Sequence, residues 1–186
     1  MAGTENEITF DALTPIEATS DGKPDCTVEP TIDKNGTDFL FLPFGCDPGT
    51  TCTGVRAFVL ALDNTTPIPS GSALYECAVR IASNATLGTY PLQNGNAVAS
   101  DPLGQPVTAR GVAGEVEVIC AGDCDHDLRV AIFELVRGVN ILLGTDSLTS
   151  CPDYDSDESG RVGVQELVQS VSSALRGCGA ISGAEL

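Results

Sequence analysis

Two acidic segments, which repeat at an interval of 32 residues, carry the residues best suited to chemistry in this chain. They run from Asp123 to Glu134 and from Asp155 to Glu166, and each has oxygen-bearing side chains at positions 1, 3, 5 and 12. Ca²⁺ takes about six to eight oxygen ligands, and a loop of this spacing adds a backbone carbonyl from position 7. The spacing therefore predicts two calcium sites. Their ligands would be Asp123, Asp125, Asp127, the carbonyl of Arg129 and Glu134 in the first loop, and Asp155, Asp157, Ser159, the carbonyl of Arg161 and Glu166 in the second.

A metal-free interpretation of these loops is a pair of helix N-termini, whose acidic first turns stabilise the positive end of each helix dipole. Each loop is followed by an apolar stripe at helical spacing, and the two stripes superimpose position by position. Two loops in register, each leading into the same kind of helix, favour calcium. The stripes are Leu135, Val136, Val139, Leu142 and Leu143, and Leu167, Val168, Val171, Ala174 and Leu175.

The two loops differ at position 6, where a calcium loop makes a sharp turn. The second loop has Gly160 there, whereas the first has Leu128. Because a left-handed conformation is costly for leucine, we expect the first loop to be distorted or weaker. The first loop also has Asp127 at position 5, where the second has Ser159. Because a carboxylate is the stronger ligand, this difference would raise the calcium affinity of the first loop.

The segment from about Cys120 to Cys178 resembles a type I dockerin, with two EF-hand-like F-hand loops and no helix entering the first loop. The resemblance implies two Ca²⁺ ions, folding coupled to calcium, and a protein-binding role. In dockerins the pair at positions 10 and 11 commonly contacts the cohesin partner and is often polar, but here the pairs are Ile132-Phe133 and Val164-Gln165. Two interpretations of Ile132 and Phe133 remain open: an apolar contact with a partner, and packing within the chain.

No catalytic arrangement is found in the sequence. His126, the only histidine, stands at loop position 4, which normally points to solvent. We find no nucleophile–histidine arrangement, and no convincing pair of carboxylates for glycoside hydrolysis stands out in the first half. The sequence therefore predicts that this protein is not an enzyme.

The first half of the chain has the pattern of a β protein. Short β-rich runs alternate with clusters of Gly, Pro, Asn and Asp, and ten of the eleven prolines precede Cys120, which weighs against helices there. One run places Tyr75, Cys77, Val79 and Ile81 on a single face. This half is predicted to be an antiparallel β-sandwich. The predicted strands are Ile8–Phe10, Phe39–Leu42, Val55–Leu62, Leu74–Ile81 and Val116–Val118.

The same half resembles a cohesin-like, jelly-roll-like sandwich. The segments Leu74–Ala82, Leu87–Leu92, Val98–Asp101 and Gly114–Val118 are similar to its later strands, and Ile8–Asp11 is similar to an inner strand that others usually precede. On this resemblance the first strands are absent. Either the chain is a fragment or processed form, or another chain supplies a strand by β-augmentation.

The predicted fold is therefore mainly β with a small α domain. It consists of a cohesin-like β-sandwich over residues 1–119, a paired EF-hand-like dockerin module over residues 120–179 and a tail over residues 180–186.

Eight cysteines in a chain with few aromatic residues indicate disulfides and an oxidising compartment. In the first half, Cys46 and Cys52 could close a small loop, and Cys26 would then pair with Cys77. In the second half, Cys120, Cys124, Cys151 and Cys178 allow three pairings, and the sequence does not choose among them. Zinc is the rival interpretation, but no CxxC spacing supports it. Three glycosylation sequons begin at Asn35, Asn64 and Asn84.

The composition excludes some partners and locations. With 26 Asp and Glu against 9 Lys and Arg, the formal charge is −17, which disfavours binding to nucleic acid. Since 42% of the residues are hydrophobic, the chain can bury a core. No stretch approaches the roughly 20 apolar residues of a membrane helix. Met1–Phe10 has no apolar segment typical of a secretory signal, so an exported form would have lost its signal or belong to a longer precursor.

The function predicted from these features is that of a secreted or cell-surface, calcium-stabilised structural or adhesion protein that mediates protein–protein assembly. Its partner would be another protein or copies of itself, joined head to tail or by strand donation into a filament. One alternative is a carbohydrate-binding module, which the absence of Trp disfavours. Another is the non-catalytic part of a dockerin-bearing secreted enzyme.

Overall fold

The structure is a computed structural model that describes residues 1–82, 84–157 and 159–178. Within these residues the chain forms eight strands, followed by two α-helices. The strands are β1 (Gly3–Thr9), β2 (Cys26–Val28), β3 (Asp38–Leu42), β4 (Gly54–Val59), β5 (Tyr75–Cys77), β6 (Gly88–Ser100), β7 (Pro106–Val107) and β8 (Gly114–Val118). The helices are α1 (Ile132–Leu142) and α2 (Val164–Arg176).

The chain divides into two compact units. One, called the β unit below, contains Met1–Arg80 and Tyr90–Val116, and the other, called the helical unit, contains Ile81–Thr89 and Glu117–Leu186. The predicted domain boundaries, at residues 119/120 and 179/180, stay predictions. The predicted tail, residues 180–186, lies outside the described residues.

A six-stranded sheet dominates the first unit. Its order is β3-β4-β1-β6-β7, and β8 also pairs with β6. The ladders that β1 forms with β4 and β6 are antiparallel, as are those of β3 with β4 and β6 with β7. β1 lies between β4 and β6, and it contains Ile8 and Thr9 of the predicted inner-strand segment Ile8–Asp11, whereas Phe10 and Asp11 follow its end.

The core of this unit follows from the two-residue period of its strands. Val55, Ala57 and Val59 of β4 are buried, whereas Arg56 and Phe58 lie on the opposite face. The two-stranded sheet of β2 and β5 packs against the same core cluster. The rings of Phe39 and Tyr75 meet edge to face with their centroids 5.2 Å apart. The architecture is therefore mainly antiparallel β, with a small sheet packed on a large one.

The strands differ in length from the predicted runs. The run from Leu74 to Ile81 pairs with β2 only over Tyr75–Cys77, and beyond it Val79 forms an isolated bridge with Ile16. The predictions omitted β2 and β7 and did not join the two halves of β6. Strand formation depends on neighbours as much as on intrinsic preference, and β6 includes Asn94, Gly95 and Asn96, which are poor strand formers.

All eight cysteines, each within the described residues, form disulfides. Cys46–Cys52 and Cys26–Cys77 are paired as predicted. In the second unit the structure selects Cys120–Cys178 and Cys124–Cys151 from the three possible pairings. None of the helices among the described residues combines the length and apolar character needed to cross a membrane.

Candidate calcium site

In the first loop, carboxylates hold the backbone in a closed turn. The side chain of Asp123 is buried. Its Oδ1 accepts a hydrogen bond from the backbone N–H of Asp127 at 3.1 Å, and its Oδ2 accepts one from the N–H of Leu128 at 2.9 Å. Asp125 Oδ1 also accepts from the N–H of Asp127, at 3.3 Å. The carboxylates thus turn toward the inside of the loop.

Glu134 joins the two ends of this loop from the first turn of α1. Its side chain is buried, with Oε1 2.7 Å from the N–H of Cys124 and Oε2 2.8 Å from the N–H of Ala131. One glutamate therefore links position 2 with position 9. This fixes the carboxylate at the place where a bidentate calcium ligand is expected.

The second loop repeats these hydrogen bonds at equivalent positions. Asp155 Oδ2 accepts from the N–H of Gly160 at 2.8 Å, and Asp157 Oδ1 accepts from the N–H of Ser159 at 3.0 Å. Glu166 Oε1 and Oε2 accept from positions 2 and 9, at 2.9 Å and 2.6 Å. The repeat in the sequence is thus a repeat in local structure.

Leu128 adopts the conformation that its position requires. Its φ is 69°, close to the 79° of Gly160 at the equivalent place. The leucine side chain is 61% exposed. The expected distortion of the first loop is therefore wrong, because Leu128 makes the same turn as glycine. A weaker first site stays a prediction, since left-handed backbone is strained for leucine.

Each loop brings three carboxylates together. Oxygens of Asp123, Asp125 and Glu134 lie within 4.8 Å of one another, and so do those of the equivalent second-loop residues, Asp155, Asp157 and Glu166. Like charges at this distance repel, and a bound cation would offset that repulsion. An all-oxygen donor set of this kind fits the preference of Ca²⁺.

The other predicted ligands are placed less uniformly. Ser159 Oγ lies 3.4 Å from Asp155 Oδ1 and 3.2 Å from the carbonyl oxygen of Arg161, so these three stand together. Asp127 lies outside the first cluster of three carboxylates. Arg129 would contribute only its backbone carbonyl.

Sequence reasoning missed the segment that leads into the second loop. The fully buried Tyr154 donates a hydrogen bond from its hydroxyl to the carbonyl oxygen of Glu134, at 3.0 Å. Burial raises the pKa of this phenol. His126 is largely exposed, as expected for position 4, but its Nδ1 lies 3.3 Å from Asp153 Oδ2. Burial raises the pKa of Asp153, and the nearby imidazole acts in the opposite direction. Tyr154 is the only aromatic residue between the loops, which is the signal that could have revealed it.

The two helices expose an apolar face. Ile132 and Phe133 are 79% and 55% exposed, which is at odds with their packing against the other helix. A groove of about 240 Å³ is lined by Leu135, Val139, Val164, Leu167, Val168 and Val171. The acidic residues of the two helices, Glu134 and Glu166, are both buried. The exposed surface of α1 and α2 therefore carries no carboxylate.

None of the three tyrosines offers a freely exposed ring for stacking on a sugar. Tyr90 and Tyr154 are buried, and the hydroxyl of the half-buried Tyr75 exchanges hydrogen bonds with Asn6. These positions do not favour the carbohydrate-binding alternative.

No protein-family model matches the chain, and no curated protein matches it. Solved structures that resemble part of it include two complexes. A chain of the CaDoc0917–CaCohA2 complex has a TM-score of 0.45 and 17% identity, covering 63% of this chain and 79% of its own. A chain of the Coh-OlpA–Doc918 complex, a type I cohesin–dockerin complex from Clostridium thermocellum, has a TM-score of 0.45 and 13% identity, covering 63% and 78%.

Proposed function

We propose that this chain is an extracellular, calcium-stabilised assembly protein whose dockerin-like helical unit binds the β-sheet of a second copy, head to tail. The observation that carries the proposal is the apolar face of α1 and α2, which is free of carboxylates and directly follows the two acidic loops. An exposed patch of this kind commonly marks an interaction surface.

Calcium binding would order the two helices that form this apolar face. Each helix begins at the end of one loop, with Glu134 or Glu166 in its first turn. A cation held by these glutamates and the aspartates at positions 1 and 3 would fix where each helix starts. The exposed apolar side chains would then be held in one arrangement, which lowers the entropic cost of binding.

The charge distribution favours another copy as the partner. Most surfaces of a protein with a net charge of −17 repel a second copy. The helix face carries less of this repulsion, because the acids of both helices are buried and the last turn of α2 contains Arg176. It is therefore the place where two copies can approach at the lowest electrostatic cost.

The outer face of the six-stranded sheet is suited to receive the helices. Glu5 of β1 lies opposite Phe58 of β4 and Val98 of β6. A groove of about 350 Å³ there is lined mainly by apolar atoms, and the carboxylate of Glu5 beside it lies 3.4 Å from Arg56 Nε. This largely apolar groove, whose acid is already paired, complements the apolar helix face. Because the two surfaces differ, each bound copy leaves a free surface for the next, and an open chain of subunits forms unless the rotation between copies closes a ring.

The experiment measures the molar mass of the protein at increasing protein concentration in a buffer that contains calcium, by light scattering after size exclusion. We expect the molar mass to rise with protein concentration, and more strongly at high salt, because salt screens the repulsion between copies. The variant V136E/V168E on the helices and the variant V98E on the sheet should each stay monomeric. Mixed together they should form a one-to-one dimer, since each retains one intact surface. The matched control F44E, in an exposed turn, should assemble normally.

Three results would overturn the proposal. A wild-type chain that remains monomeric in calcium has no such contact. A dimer that does not grow and is unaffected by V98E indicates pairing of helix faces instead. Growth that persists in V136E/V168E indicates strand donation at a sheet edge such as β3.

A further inference from the structure

A short segment, Cys151–Asp155, is bonded to the first loop at two places and to the residue before that loop at a third, and it then enters the second loop. Cys151 is bonded through its disulfide to Cys124, at position 2 of the first loop. The N–H of Gly122, just before that loop, donates to the carbonyl oxygen of Asp153 at 3.3 Å. The hydroxyl of Tyr154 bonds to the carbonyl oxygen of Glu134, at position 12.

The next residue in the chain is Asp155, the first ligand position of the second loop. Its N–H donates to the carbonyl oxygen of Pro152 at 2.9 Å, so it is held by the same segment. Cys151 and Tyr154 have no exposed surface. The beginning and the end of the first loop are thus connected to the start of the second through buried groups.

We infer that this segment couples the two calcium sites, so that an ion in either loop raises the affinity of the other. The inference rests on the proposed calcium binding and goes beyond it. Filling the first loop would fix Glu134 and Cys124, and with them the segment that carries Asp155. An ion entering the second loop would then meet a start that is already ordered, and it would lose less conformational entropy.

Tyr154 and the Cys124–Cys151 disulfide act as positioning groups in this scheme. Neither supplies an oxygen to an ion, because the tyrosine hydroxyl is used by Glu134 and the sulfurs are bonded to each other. Gly138 makes room for the tyrosine, since a Cβ there would lie 2.3 Å from the ring. The coupling therefore depends on packing between the loops.

The experiment is a calcium titration of the full chain by calorimetry. The reference variant D125N weakens the first site, and its reciprocal D157N weakens the second. Coupling between sites is typically about 5-fold or more in affinity and is equal in both directions. We therefore expect D125N to weaken the second site by about 5-fold, and D157N to weaken the first by a similar factor.

The double variant C124S/C151S should bind two ions without this dependence. Y154F keeps the ring and removes only the hydroxyl, so it should fold and show reduced coupling even if C124S/C151S does not fold. The control C46S/C52S removes a disulfide of the β unit and should leave the coupling unchanged.

The outcomes separate the two proposals. If the native chain binds no calcium, the calcium sites themselves are wrong and the coupling fails with them. If two ions bind but D125N does not affect the second site, calcium binding stands and the coupling is overturned. Coupling that survives in both C124S/C151S and Y154F would overturn the role of this segment.

Discussion

At the scale of single residues, the helical unit depends on places where no side chain fits. Tyr154 is fully buried against two glycines, Gly138 in α1 and Gly122 before the first loop. A Cβ at Gly122 would lie 2.6 Å from Ser170 Oγ. A glycine in a predicted helix has no evident purpose in the sequence, because the ring that requires it comes from a residue 16 positions away.

Substituting Gly138 by alanine tests this packing. Alanine favours a helix by about 1 kcal/mol over glycine, but the buried ring would have to move and lose its bond to Glu134. We expect G138A to lower the free energy of unfolding by about 1–3 kcal/mol, measured by urea denaturation. The control N140A, at an exposed position of the same helix, should be neutral or slightly stabilising. A more stable G138A would contradict the packing.

Glu7, on the outer face of the sheet, allows a second prediction at this scale, which concerns how stability depends on pH. Hydrogen bonds from Arg56 and then from Asn96 hold the pKa of its carboxyl below the usual range. A pKa lower in the folded than in the unfolded state stabilises the fold above the unfolded value of about 4.3. That contribution is lost as pH falls through the folded pKa.

The variant E7Q should therefore lose stability near neutral pH and show a shallower decline with acid. The effect should be small, since Arg56 is partly open to solvent. Urea midpoints from about pH 7 to about pH 3 would measure it. In the control E115Q, on an exposed position of β8, the decline of the urea midpoint at low pH should match that of the wild type. If E7Q also shows the wild-type decline, the pair of Glu7 and Arg56 contributes nothing to stability.

At the scale of elements, the small sheet is the weakest part of the β unit. β2 and β5 have three residues each, and a two-stranded sheet is marginal in water. Cys26 lies directly opposite Cys77 in the ladder, and their disulfide joins the two strands. The covalent bond therefore substitutes for the hydrogen bonds that a longer ladder would provide.

Removing each disulfide of this unit should have unequal effects. Cys26 and Cys77 are 51 residues apart in sequence, whereas Cys46 and Cys52 are 6 apart. Loop entropy predicts stabilisation of about 4 kcal/mol for the first and about 2.2 kcal/mol for the second. C26A/C77A should therefore be less stable than C46A/C52A in urea denaturation. Equal losses would show that strand pairing does not depend on the longer link.

At the scale of the whole molecule, the acidic residues fall into two groups: those at predicted calcium positions and all the others. Seven carboxylates stand at predicted calcium positions, and two Ca²⁺ ions would change the formal charge from −17 to −13. The remaining acids keep the protein strongly negative, which favours solubility and opposes association. Under the proposed function, the carboxylate-free helix face is then the surface where a second copy meets the least repulsion.

Calcium removal should affect the two units differently. Ligand at about 100 times its dissociation constant stabilises a fold by about 2.7 kcal/mol per site. A chelator should therefore lower the melting temperature of the helical unit and leave that of the β unit unchanged. Scanning calorimetry with excess calcium and with chelator would measure this, with magnesium as the control ion. Transitions that do not move on chelation would contradict calcium binding.

Several features could be predicted from the sequence because they depend on local spacing. The twelve-residue loops, the helices after them and the alternation around Tyr75 and Cys77 are encoded by neighbours in the chain. The Cys46–Cys52 pairing was accessible for the same reason. The ligands themselves stay predictions that calcium titration must test.

Other features required the tertiary structure, because they join residues that are distant in sequence. The ladder of β2 with β5, the continuous strand β6 and the choice of Cys124–Cys151 depend on which segments meet in space. So does the exposure of Ile132 and Phe133, which periodicity alone left open. The sequence by itself determined two acidic loops that lead into helices. Only the tertiary structure shows that the two loops share a buried connection through Tyr154. The reason is that its ring fits in a close-packed interior only where the fold places Gly138 and Gly122 beside it.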